Sequence, residues 1–584
     1  MYKGVRWCAA KESLGYDRAH MNASLLAVIG LTAMFLGYRF YSRFIATQIY
    51  RLDPTFVTPA HSMRDGKDYV PTHRFVLWGH HFTAVAGAAP IIGPGIAVIW
   101  GWLPAFLWVV IGTIFFAGVH DFGAIWASTR NGARSVGALT GEVVGRRAQT
   151  LFMIVIFLLL LMVNAVFAVA IAREFIAMPS SVIPVWSAVA VAVVIGLLIY
   201  KARVPILWPT VVGTIILYAV IYAGEAVPLS LPSLVLGMPP STQWILLLFA
   251  YAALASMLPV WLLLQPRDYI NGIQLFVGLA LLYGAIFVAN PVIVAPAVNF
   301  SVPAGGPPII PLLFVTVACG AVSGFHGLVG SGTTSKQLNL ETDARFVGYL
   351  GSLGEGALAL VAILASTAGF ATLGDWEAVY TQFGQGGVRA FVQGGGTILA
   401  SLGLPLAFAY TLLTVMAILF AGTTMDAGVR LQRYIVQEWG AIYRIPILQN
   451  GYVATMVAVG ACLVLAFGAG GAEGTGGMII WPLFGTTNQL LAGMTLLIIS
   501  VILVRLGRKA RYTLVPMVIV TSMAFLSALY ELWALYERGN VLLVLLDILI
   551  IVAAVWVMLE ATSALVSARR DMRSAARPAA GTRD

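Results

Sequence analysis

Apolar runs of about 18 or more residues, joined by short polar or basic connections, fill this chain almost from end to end, and each is long enough to cross a bilayer as a helix. About fifteen spans are expected, at roughly 23–44, 75–101, 103–129, 149–173, 182–200, 206–223, 243–264, 272–296, 310–333, 346–373, 396–422, 451–470, 478–504, 513–535 and 541–566. Two of the runs carry glycine-rich polar stretches inside them: GHHFTAVAGAAPIIGPG at 79–95 and ACGAVSGFHGLVGSGTTSK at 318–336. Backbone that leaves the helix at membrane depth is tolerated only where protein or a water-filled cavity meets its hydrogen bonds, so both stretches predict a binding site or a path. Close helix packing is the plainer alternative for glycine and proline in spans.

The order of the spans adds a prediction. The first interrupted span opens a run of five, and a second run of five opens at 243–264, which Pro259 interrupts. A five-span unit repeated once must invert, so an all-α polytopic protein of LeuT type is expected, with a 5+5 inverted repeat, discontinuous helices and extra spans. The chain then divides into a tail at 1–22 outside the membrane, an extra span at 23–44, a transport core at 75–422, a four-span segment at 451–566 and a basic tail at 567–584.

Composition agrees: 60% of the 584 residues are hydrophobic and only 10% charged, with a mean hydropathy of +0.91. The net charge of +10 would point a soluble protein toward nucleic acid, but here it sorts by side of the membrane. With the N-terminus outside, roughly 27 of the 34 Lys and Arg fall on the cytoplasmic side, the positive-inside pattern. Lys3, Arg6, Lys11 and Arg18 run against that orientation. Nucleic-acid binding is not supported, and the partners expected are the lipid bilayer and a small-molecule substrate. Cys8, Cys319 and Cys462 are too scattered for a disulfide framework or a zinc site.

Ionisable groups at membrane depth are costly and usually face a cavity. His80 and His81 precede the first glycine-rich break, where Gly87, Pro90, Gly93 and Gly95 are expected to open the helix. The half-helix after the Gly93-Pro94-Gly95 turn would offer free N–H groups to a substrate carboxylate. Ser323 and His326 are the matching candidates in the second stretch, although His80 or His81 could equally bond a neighbouring helix. Asp121, next to His120, either takes part in ion coupling or pairs with Arg130 or Arg134. Ser331, Thr333 and Thr334 supply hard oxygen ligands of the kind sodium needs, or glue helices together. Glu355 has no basic residue within a turn and is the more suggestive acid. Asp426 and Arg430 share a helix face and predict a salt bridge, whereas Arg267 with Asp268 could close a gate. Asn488 joins this gating or structural group. No cofactor is called for beyond a coupling proton or sodium ion. The competing class is a haem- or metal-binding redox protein using His80, His81, His120 and His326. No nucleophile elbow or phosphate loop is present, and an enzyme is not expected.

Several blocks together resemble the carbon starvation (CstA) transporters: YRFYSRFIA, LDPTFVTPA and DGKDYVPT at 38–72, GHHFTAVAGAAPIIGPG at 79–95, SGFHGLVGSGTTSK at 323–336, ETDARFVGYLGSLGEG at 341–356, TTMDAGVRLQRYI at 423–435 and WPLFGTTNQLLAG at 481–493. The resemblance covers about residues 38–505 and implies a secondary carrier of bacterial inner membranes. Such a carrier would take up peptides or pyruvate during carbon starvation, and the two glycine-rich blocks would be central to it. It also implies proline and glutamine where this chain has Ser335 and His120. Peptide or pyruvate as substrate, the coupling ion and the oligomeric state stay open at this point.

Overall fold

The computed structural model describes residues 21–575 apart from 67, 206, 234–236, 260, 301, 303–305 and 470–475. The tail at 1–20, and the end of the basic tail beyond 575, lie outside the described residues. The protein is an all-α polytopic membrane protein. Among the described residues there are no strands, only the isolated bridges Asn22–Val292 and Thr72–Leu338. Thirteen helices are long and apolar enough to cross a membrane, and the bent pair Arg74–Val85 and Ala89–Trp100 makes a fourteenth.

Burial sorts these helices. Ile479–Arg505 is buried along its most apolar stretch, and Arg146–Ala177, Arg345–Ala368 and Leu406–Ile442 are nearly so, whereas only about a third of Leu207–Gly224, Arg511–Glu537 and Val541–Arg570 is covered. Apolar surface is at home against lipid, so helices covered along one stripe sit at the lipid-facing rim, while the fully covered Ile479–Arg505 carries polar Thr486, Thr487, Asn488 and Gln489 into the interior. The central Ile479–Arg505 comes from the C-terminal four-span segment, so that segment supplies a wall of the core.

Two segments are broken into shorter helical pieces. The first bends by 51° between Val85 and Ala89, where Ala86 takes ψ 72°. The second runs as short pieces, Ile309–Thr316, Ala318–Ala321 and Gly324–Val329, followed by a wider turn at Gly330–Thr334. Between the last two α-helical pieces, Val322 and Ser323 are extended. The two segments pack antiparallel. Arg74–Val85 lies against Gly324–Thr334, and Ala89–Ala97 lies against Ile309–Ala321.

Three boundaries differ from expectation. Pro259 lies between two full helices, Pro240–Met257 and Leu264–Ala289, so it interrupts no single span. The span expected at 396–422 is a helix at Leu406–Ile442, preceded by the separate Gly387–Ala400. Gly403, at φ +88°, and Pro405 at the N-cap force the chain to restart there. The first break falls at Ala86–Ala88, and Gly93-Pro94-Gly95 continues inside the helix Ala89–Ala97. Those glycines serve backbone approach: a Cβ on Gly93 would run into the carbonyl oxygen of Thr316, and one on Gly95 would lie 2.6 Å from that of Gly387.

Small residues set a further contact, between Arg345–Ala368 and Gly387–Ala400, where a Cβ on Gly394 would overlap the carbonyl oxygen of Ala365. Gly394→Ala is expected to destabilise the fold by about 1–3 kcal/mol, because backbone cannot yield as a side-chain end can. Thermal unfolding of the purified protein in detergent checks this, and an unchanged midpoint refutes it.

One membrane face carries a built strap. The chain after the first span crosses over and docks on residues 337–343: Thr58 Oγ1 donates to the carbonyl of Leu338 at 2.6 Å, Thr72 N donates to that of Gln337 at 3.0 Å, and the Asp53 amide donates to Glu341 Oε2 at 2.6 Å. Buried Glu341 is also gripped by both Nε and Nη2 of Arg130, the bidentate geometry that suits arginine to carboxylates.

Candidate functional site

At the second break, freed backbone groups are met by side chains from the central helix. Asn488 Oδ1 accepts from the Phe325 amide at 3.0 Å, and its Nδ2 donates to Ser323 Oγ at 3.0 Å. Gln489 Nε2 donates to the Phe314 carbonyl at 2.6 Å, to which Trp108 Nε1 also donates at 3.3 Å. Irregular backbone is thus sealed inside protein, the condition for it at membrane depth. Asn488 and Ser323 therefore hold the break in shape.

Just past that break, His326 sits between two carboxylates. Its Nδ1 is 2.8 Å from Asp121 Oδ2, and its Nε2 approaches Glu355 Oε2 to 2.8 Å, out of line for a well-formed hydrogen bond. Asp121 is further held by His120 Nδ1 at 2.7 Å on Oδ1 and by the Ser352 hydroxyl at 2.5 Å on Oδ2. All five side chains are buried. A nitrogen facing a carboxylate carries a proton, so Nδ1–H donates to Asp121. The contact to Glu355 is then held either by a proton on Nε2, making His326 cationic, or by a proton on Glu355 with the ring neutral. Either way, one proton is shared between His326 and Glu355. With both acids ionised, the single histidine cation leaves a net negative charge in the interior, a costly state that a second proton relieves.

The helices explain the convergence. Ser352 and Glu355 are three apart on Leu350–Ala368 and so share a face. Asp121 comes from Gly118–Arg130 and His326 from the short helix after the break. His81, on the first broken helix, places Nδ1 2.9 Å from Thr334 Oγ1, and its ring packs beside Gly351, next to Ser352. Its Nε2 is buried without a partner. His80 faces the other way and lies 4.0 Å from Asp268.

Gly87 lies at the first break beside Thr424, and Pro90 begins the half-helix that follows. Ser331 Oγ donates to the Gly327 carbonyl and accepts from the Val136 amide, Thr333 Oγ1 donates to Val329, and Thr334 meets His81. The three hydroxyls are spent separately and do not converge. Asp121 does not pair with Arg130 or Arg134, which bind Glu341 and Glu142 instead. The predicted Asp426–Arg430 bridge is also not formed. Asp426 binds Arg267, and Arg430 Nη2 instead donates to the carbonyls of Ala255 and Leu258 at 2.7 and 2.8 Å, where the helix Pro240–Met257 ends. Arg267 and Asp268, expected as a pair, face different partners.

His81, His120 and His326 thus turn toward Thr334 and the two acids. Among the described residues no group of three His, Cys, Asp or Glu is arranged to hold a metal ion. Ser352 was not legible in sequence, and only its spacing from Glu355 could have drawn notice.

The fold and site define a polytopic membrane protein in which two antiparallel broken helices enclose a buried histidine–carboxylate cluster. The chain belongs to the family described as carbon starvation protein CstA, whose model matches residues 22–379 and 372–527. Among its relatives is the peptide transporter CstA of Campylobacter jejuni, 33% identical, with the alignment covering 89% of this chain and 82% of the relative. Another is the pyruvate/proton symporter BtsT of Escherichia coli, also 33% identical, over 84% of this chain and 78% of that protein. A solved manganese transporter of Eremococcus coleocola aligns with 87% of this chain and 99% of its own at 12% identity and a TM-score of 0.49. None of the names among these relatives supports the haem or redox alternative.

Proposed function

We propose that this protein is a proton-coupled secondary transporter that takes up a small carbon nutrient, pyruvate or a short peptide, across a bacterial inner membrane by alternating access. The observation that carries the reading is the buried Asp121–His326–Glu355 chain beside the facing breaks. A histidine between two carboxylates can hold and pass a proton, and helices already broken can rearrange with little loss of backbone hydrogen bonding. Membership of the CstA family, and relatives named for peptide transport and pyruvate/proton symport, support the same reading.

The strap face carries Arg51, Arg64, Arg130, Arg134, Arg505 and Arg508, which favours the cytoplasm for that side. The N-terminus then lies outside and the C-terminus inside.

The test is uptake of labelled pyruvate and of labelled alanyl-alanine into proteoliposomes under an imposed proton gradient, and separately under a sodium gradient. Accumulation driven by protons, and unaffected by sodium, is expected for at least one solute. Accumulation driven by sodium alone would sink the proton reading, and none under either gradient would sink both proposed solutes.

A further inference from the structure

Beyond the histidine–carboxylate cluster, a second polar track runs on the other side of the first broken helix. Arg267, Asn271 and Gln274 fall at i, i+4 and i+7 on Leu264–Ala289, so they form one stripe. With Asp268, all four are buried. The stripe faces Leu406–Ile442: Asn271 Nδ2 donates to Thr423 Oγ1 at 2.5 Å, and Arg267 Nη1 binds Asp426 Oδ2 and, at 2.7 Å, the Tyr251 hydroxyl. That hydroxyl in turn donates to Asp426 at 2.8 Å.

Much of this polarity is unmet. Arg267 Nε, Asp426 Oδ1, Asp268 Oδ1, Asn271 Oδ1 and both polar atoms of Gln274 are buried without a hydrogen-bond partner. Buried polar atoms at membrane depth need a partner, so such a row marks a place that water or a polar solute fills. At its Arg267 end the track meets a small cavity, with room for about one water molecule, bounded by Phe175, Trp186, Tyr251, Gly422 and Asp426. Gly422 makes room for the guanidinium, since a Cβ there would collide with Arg267 Nη2.

Among the described residues only two arginines, and no lysine, are buried. Arg430 spends Nη2 on two carbonyls that end a helix. The Nε of each is unclaimed, but Arg267 instead binds an acid that keeps one oxygen free. We infer that Arg267 is the carboxylate-binding residue of the solute path and that Asp426 is its displaceable counter-ion, which holds the guanidinium until the solute's carboxylate takes its place. The inference rests on the transport reading and adds the chemistry of the solute: it bears a carboxylate, a group pyruvate and alanyl-alanine share. Proton and solute then travel on opposite sides of one broken helix, with His81 turned to the first track and His80 to the second.

The experiment uses thermal unfolding of the purified full chain with pyruvate, alanyl-alanine and their amides, which lack the carboxylate charge, as probes. At least one acid, and neither amide, is expected to stabilise the wild-type protein. Arg267→Gln combined with Asp426→Asn removes both charges together and should unfold as cooperatively as wild type yet lose that stabilisation. Asp426→Asn alone should bind the acid about tenfold more tightly while slowing turnover in uptake, a split between KM and kcat that a purely structural pair would not give. Stabilisation that survives in the double variant, or absence of stabilisation of the wild type by either acid, overturns the inference. Stabilisation that is lost in the double variant upholds it even where proteoliposomes accumulate nothing, and that result would count against the transport reading alone.

Discussion

Asp121→Asn is expected to abolish proton-driven accumulation, by roughly a hundredfold or more, while leaving a folded protein. The carboxylate receives His120, His326 and Ser352 at once. Its amide replacement keeps the shape and one acceptor oxygen but carries no charge to hold a proton on His326. A hydrogen bond to a charged group is worth about 1.5–3 kcal/mol, and the upper figure corresponds to more than a hundredfold in an equilibrium. The loss should be specific to coupling. Exchange of labelled for unlabelled solute across the membrane needs no net proton movement and should persist. Glu355→Gln, at the other end of the chain, should show the same split. Gradient-driven uptake by Asp121→Asn at the wild-type rate would remove the cluster from the coupling mechanism, and loss of exchange together with uptake would assign Asp121 to solute binding or to folding.

The second large effect is expected at Gly93. The two broken helices touch there backbone to backbone, and a Cβ would strike the Thr316 carbonyl just before the second helix breaks. Neither side has a side chain that could move away. Gly93→Ala should lower stability by about 1–3 kcal/mol and, because it wedges apart the elements that must move against each other, should cut uptake more than that loss explains. Gly284→Ala is the control: a Cβ at Gly284 meets nothing within 4 Å, and alanine is the better helix former. Equal uptake for the two variants at matched amounts of folded protein would refute the claim.

How far the sequence could be read follows from the range of the interactions. The spans and the two glycine-rich stretches were legible because hydropathy and glycine clustering are local properties. The exact point of the first break was not, since Gly93 and Gly95 serve approach to residues far along the chain, while the bend falls at Ala86–Ala88. Asp121 and Glu355 stood out as lone acids, yet their shared partner His326 lies 205 positions from Asp121. Asp426 and Arg430 show the converse failure. Spacing put them on one face, but Asp426 binds Arg267 from another helix, 159 positions away, and nothing local signals that choice. Ser331 and Thr333 misled in a similar way, because hydroxyls in helices often bond their own preceding turn, as both do here.

The strap at residues 51–72 has a mechanical meaning. It fastens to residues 337–343 only a few positions beyond Thr334, the partner of His81, and the same short stretch leads back through Gly330 to His326. A tug on the helix carrying His326 is therefore delivered along covalent chain, without slack, to the seam between the strap and Glu341. Loading and unloading of a charge in the interior would be felt at the protein's rim as tension on a hem, and the two-point stitch of Arg130 to Glu341 is what would hold it.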